Sequence, residues 1–89
     1  MADTWQVLLA RQPEKILAKV PAELRRRLLD ALHELRANPQ PVGCTKLKGH
    51  ENLYRVRVGD WRITYAKENA TLIVLVVEIA PRGGAYRRL

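Results

Sequence analysis

Apolar and polar positions alternate along Tyr54-Arg55-Val56-Arg57-Val58-Gly59-Asp60-Trp61-Arg62-Ile63-Thr64-Tyr65. The pattern predicts two short strands joined by a two-residue Gly59-Asp60 turn. Successive side chains of a strand point to opposite faces, so Tyr54, Val56 and Val58 share one face and Arg55 and Arg57 the other. Closing the hairpin at Gly59-Asp60 sets Val58 opposite Trp61, Arg57 opposite Arg62 and Arg55 opposite Thr64. One face is then apolar, and the other gathers three guanidinium groups.

The same reading extends to the rest of the chain. Trp5 to Leu9 is expected as a first strand. Pro13 and Pro21 each suit a first helical position, where the missing N–H is no loss. Helices are predicted over about 13–19 and 22–37. Ile16, Leu17 and Val20 form the apolar side of the first, and Leu24, Leu28, Leu29, Leu32 and Leu35 that of the second. Asn38-Pro39-Gln40-Pro41 stops the second helix, and Lys46 to Gly49 leads into the hairpin. Glu68-Asn69-Ala70 reads as a turn. The run Thr71 to Ile79 is almost continuously aliphatic and suits a strand buried on both faces. Pro81 ends it, and Gly83-Gly84 predicts a flexible last stretch. The expected order is β-α-α-β-β-β, an α+β fold with a helical hairpin on one face of a small, mostly antiparallel sheet. The arginine face is left open.

At 89 residues the chain is expected to be one domain, 1–89. Its net charge of +7 is uneven, and this changes the picture. Residues 1–45 carry seven basic and five acidic groups, and residues 46–89 carry nine and four. An acidic partner is expected on the second half. Cys44 is the only cysteine, which precludes an intrachain disulfide. No signal-peptide pattern is read in Met1-Ala2-Asp3-Thr4, and the longest apolar run, Leu72 to Val77, is too short to span a bilayer. A cytoplasmic location is expected.

Like charges placed opposite one another in a hairpin repel, and guanidinium groups do not shed their protons to relieve it. The hairpin's one acid is Asp60, in the turn. Two readings stand: a solvated basic face, or a surface awaiting an anion, for which the planar guanidinium fork suits phosphate. His33 and His50 lack the clustered partners of a metal site. Cys44 reads as a small filler, since no positioned base accompanies it. Arg25-Arg26-Arg27 fan across the polar side of the second helix, either as a solvated face or as an RNA contact. Trp5 and Trp61 read as core or rim aromatics.

Lys46-Leu47-Lys48-Gly49, the hairpin from Tyr54 to Tyr65, and Pro81-Arg82-Gly83-Gly84-Ala85-Tyr86 resemble the RelE/ParE toxin superfamily of type II toxin–antitoxin systems. The resemblance spans essentially the whole chain. It implies a ribosome-dependent, metal-independent endoribonuclease, an mRNA interferase that cuts mRNA in the A site by 2′-hydroxyl attack on the phosphodiester. Arg55, Arg57, Arg62, Arg82 and Tyr86 stand at the family's working positions. Arg62 and Arg82 are expected to grip the scissile phosphate, and Arg55 and Arg57 to hold the RNA backbone. Tyr86 is expected to stack on a base or move a proton. Lys46, Lys48, His50, Arg87 and Arg88 are expected to contact RNA. The family often has lysine where Arg55 and Arg57 stand, so the general base is open among Tyr86, ribosomal RNA and the substrate. The C-terminal helix of some relatives is expected to be short or absent. The implied partners are a cognate antitoxin, mRNA and the ribosome, with no cofactor, metal or membrane. The alternatives are a ParE-like toxin that inhibits gyrase by binding alone and, third, an idle member that only binds its antitoxin.

Overall fold

The computed structural model describes residues 4–81. The elements are β1 (Gln6–Leu9), α1 (Arg11–Lys19), α2 (Ala22–Ala37), β2 (Thr45–Lys46), β3 (Leu53–Val58), β4 (Trp61–Glu68) and β5 (Ile73–Pro81). They form a five-stranded sheet in the order β1-β5-β4-β3-β2. Every pairing is antiparallel except that of β1 with β5. The two helices pack on one face, as expected for an α+β fold of this type. The strand count is a correction: β2, only two residues long, is an additional strand paired to β3.

Helix α2 spans the expected residues, Ala22–Ala37. Leu28, Leu32 and Leu35 are buried against the sheet, Leu24 is half-buried, and Leu29 lies outside the stripe at 45% exposed. Burying each such leucine contributes about 1.5–3 kcal/mol. Pro21 is the N-cap of α2, not its first residue, and its carbonyl accepts the Arg25 N–H. Helix α1 starts two residues earlier than the proline suggests, so Pro13 sits within its first turn. There the backbone N–H has no intrahelical partner, and proline costs nothing.

Two further corrections concern β5. It starts at Ile73, because Leu72 adopts a left-handed backbone (φ 55°) and closes the turn after β4. It is also not buried on both faces. Val74, Val76 and Ile79 lie in the core, whereas Leu75 is 37% exposed and Glu78 is exposed. The spacing 74, 76, 79 breaks strict alternation. The pairing with β4 steps from Thr64↔Glu78 to Tyr65↔Val76, leaving Val77 as an extra residue. This bulge resets which side chains face inward.

The core is completed by Leu17, Val20, Ile63, Tyr54 and Tyr65. Tyr54 and Tyr65 stack with ring centroids 5.9 Å apart. Trp5 and Trp61 pack at the core's margin, as expected. Among the described residues no helix is long and apolar enough to cross a membrane.

Candidate functional site

The hairpin register is the one the alternation predicts: Val58↔Trp61, Arg57↔Arg62 and Arg55↔Thr64. The Gly59 φ of +61° is the feature that closes it, since a positive φ at the first central position suits glycine. With the apolar residues beneath the helices, Arg55, Arg57 and Arg62 emerge together on the open face. They line one cleft of about 220 Å³, whose other lining among the described residues is Gly43 and Thr45. A water occupies roughly 30 Å³, so the cleft admits a group of several heavy atoms.

The three arginines differ in setting. Arg57 is exposed, and Arg55 and Arg62 are half-buried. The Arg55 Nε is buried and meets no hydrogen-bond partner among the described residues. A buried guanidinium N–H left unpaired costs more than an average lost hydrogen bond, and an incoming anion would satisfy it. The cleft is therefore shaped, cationic and short of acceptors at a specific atom.

Gly43 and Thr45 are wall residues that the alternation pattern does not flag. They reach the cleft through β2, where Thr45 pairs with Arg55 and so shares its face. A legible signal exists in Gly49, whose φ of 80° turns the chain between β2 and β3. The Leu47 N–H then donates to the Leu53 carbonyl at 2.9 Å and closes that loop.

Lys46, Lys48 and His50 are brought together, but outside the arginine cleft. They line a separate open hollow of about 410 Å³ with Leu47, Gly49 and Glu51. Arg82, Tyr86, Arg87 and Arg88 lie outside the described residues. Cys44 is a half-buried free cysteine beside Tyr65, in keeping with a small filler. Among the described residues no three of His, Cys, Asp and Glu group together as metal ligands would.

The run Arg25-Arg26-Arg27 divides into three roles. Arg25 turns back to α1, its Nε donating to the Leu17 carbonyl at 2.7 Å and its Nη2 to the Val20 carbonyl at 3.0 Å. It thus caps carbonyls at the end of α1. The Arg27 guanidinium lies over the Gly59 turn, 2.7 Å from where a Cβ would stand. Arg26 is exposed.

The chain matches the family model described as ParE toxin of type II toxin-antitoxin system, parDE, over residues 7–86. It is 30% identical to RelE1 of Methanocaldococcus jannaschii over 93% of this chain and 96% of the relative. The toxin RelE3 of the same organism is 33% identical over 76% of this chain and 82% of the relative. The archaeal RelE–RelB complex from Pyrococcus horikoshii OT3 contains a chain with a similar structure. The TM-score is 0.81 at 31% identity, covering 92% of this chain and 99% of that one. Family model, relatives and structure agree over nearly the full length of the same fold: the chain belongs to the ParE/RelE toxin family of type II toxin–antitoxin systems and is of the RelE type.

Proposed function

We propose that this toxin is an endoribonuclease that cuts mRNA in the ribosomal A site, in the cytoplasm, without a metal. The observation that carries the reading is the arginine cleft with its unpartnered, buried Arg55 Nε. Attack of a ribose 2′-hydroxyl on the adjacent phosphate builds negative charge on the phosphoryl oxygens. Cations already crowded at that point stabilise it without reorganising. Arg62 would hold the scissile phosphate with Arg82, Arg55 and Arg57 would hold the backbone, and Tyr86 would stack or move a proton. The hollow of Lys46, Lys48 and His50 would extend the contact along RNA, together with Arg87 and Arg88.

A cognate antitoxin is the proposed protein partner, as the RelE chain of the Pyrococcus complex is held by RelB. It would relieve the same crowded charge that the substrate does.

The test is addition of the purified chain to a translating extract with and without EDTA. Cuts within codons that persist in chelator, leaving a cyclic phosphate and a 5′-hydroxyl, are expected. The matching family model is a ParE one, which favours a second reading: gyrase inhibition by binding. Intact mRNA with relaxed plasmid and trapped gyrase would establish it instead.

A further inference from the structure

We infer that Glu78 is a further catalytic residue, the carboxylate that takes the proton from the attacking 2′-hydroxyl. The inference rests on the ribonuclease reading and supplies what the arginine cleft lacks. Guanidinium groups cannot accept a proton, and the neutral Thr45 hydroxyl is a poor base. A cleft made of these groups grips phosphate but cannot deprotonate a hydroxyl.

Glu78 reaches this face because of the bulge at Val77. Strict alternation inward from Val76 would carry residue 78 into the core. The extra residue sends Ile79 there and turns Glu78 outward. Glu78 then stands opposite Thr64, which stands opposite Arg55, so one rung crosses three strands with acid and guanidinium at its ends. Arg62 is the diagonal neighbour, since it pairs with Ala80 two positions along β5. Diagonal positions lie about 7–8 Å apart at the backbone, within reach of two long side chains. A phosphate held by Arg62 would therefore come within reach of the Glu78 carboxylate.

The position is held from behind. Gln12 of α1 donates from Nε2 to the Ile79 carbonyl at 3.0 Å and accepts the Ile79 N–H at its Oε1, also at 3.0 Å. This side-chain amide stands in for a strand where β1 has ended, and it pins the residue adjoining Glu78. Among the described residues the other acid that alternation places on this face is Glu68. It lies four positions along β4 from Thr64, roughly 13 Å away. Asp60 is in the hairpin turn, beyond the last paired rung.

The 2′-hydroxyl proton passes to a Glu78 carboxylate oxygen as the 2′-oxygen bonds to phosphorus. The bond from phosphorus to the 5′-oxygen breaks, and that oxygen leaves with the electron pair and takes a proton from water. Products are a 2′,3′-cyclic phosphate and a 5′-hydroxyl, and Glu78 returns its proton to solvent.

The experiment compares the full chain with Glu78→Gln and Glu78→Asp in single-turnover cleavage of mRNA on programmed ribosomes across pH. A matched substrate carries sulfur in place of the scissile 5′-oxygen. Glu78→Gln is expected to lower the rate roughly 10²- to 10⁴-fold and to lack the rise of rate with pH that the wild type is expected to show at its acid end. Glu78→Asp should keep that rise at reduced rate. The sulfur leaving group should not rescue Glu78→Gln, because the missing step precedes it. Rescue would make Glu78 an acid and overturn the assignment, as would an equal loss at every pH, which marks a merely electrostatic role. Undiminished cutting by Glu78→Gln would overturn this inference and leave the ribonuclease reading standing. An uncut message with the wild type would remove both.

Discussion

Arg57 and Arg62 are direct cross-strand partners at the end of the β3–β4 hairpin, and both open into one cleft. Two like charges at that spacing work against the fold, by a few tenths to about 1 kcal/mol. Function and stability should consequently part company here. Arg57→Thr is expected to leave the unfolding midpoint unchanged or slightly raised while cutting cleavage by about 10²–10³. Paired urea melts and mRNA cleavage assays check it; a destabilised Arg57→Thr would show that the charge is already balanced within the chain.

Arg25 should behave in the opposite sense. Its guanidinium satisfies the Leu17 and Val20 carbonyls at the end of α1, and its loss strands both. Arg25→Ala is expected to cost about 1–3 kcal/mol and to leave activity per folded molecule intact. Arg26→Ala, one residue along and exposed, should leave the melt where it was. If the two variants melt alike, the cap contributes nothing.

Tyr65 is 0% exposed, and its hydroxyl donates to the Pro39 carbonyl at 2.7 Å. Burial raises the phenol well above its ordinary value near 10, and the neighbouring Cys44 and Tyr54 push the same way. The folded state thus holds this proton more tightly than the unfolded chain. Its contribution is complete below about pH 10, where an unfolded tyrosine titrates, and falls away as pH climbs beyond that. Stability followed from pH 8 to 11 should decline more steeply for the wild type than for Tyr65→Phe. The variant should also start lower, by about 1–2 kcal/mol, with the Pro39 carbonyl unpaired.

Gly59 carries a positive φ and lies under the Arg27 guanidinium. Gly59→Ala imposes a left-handed conformation on a residue with a Cβ, at about 1–2 kcal/mol, and displaces that side chain. A lower melting temperature is expected, with the arginine cleft weakened because the turn sets the register of Arg57 against Arg62. Nuclease activity and melt both unchanged in Gly59→Ala would mean that the turn is free to rearrange.

Amino-acid order alone determined the parts of this protein whose physics is local. Alternation over Tyr54–Tyr65 set the register of the hairpin and put three arginines on one face, because strand periodicity and a glycine turn act over a dozen residues. The leucine spacing of α2 did the same for its helix. Tertiary structure decided what depends on partners distant along the chain. The pairing of Thr45 with Arg55 made a two-residue strand that has no periodicity of its own, and it brought Gly43 and Thr45 to the cleft. The bulge in β5 hides in an unbroken aliphatic run, where alternate positions look the same, and only pairing with β4 shows that Val76 and Ile79 both turn inward while Glu78 turns out. The burial of the Arg55 Nε likewise belongs to the assembled sheet. Charge content can be counted from the chain, but whether a given N–H keeps an acceptor is settled only when the strands around it are in place.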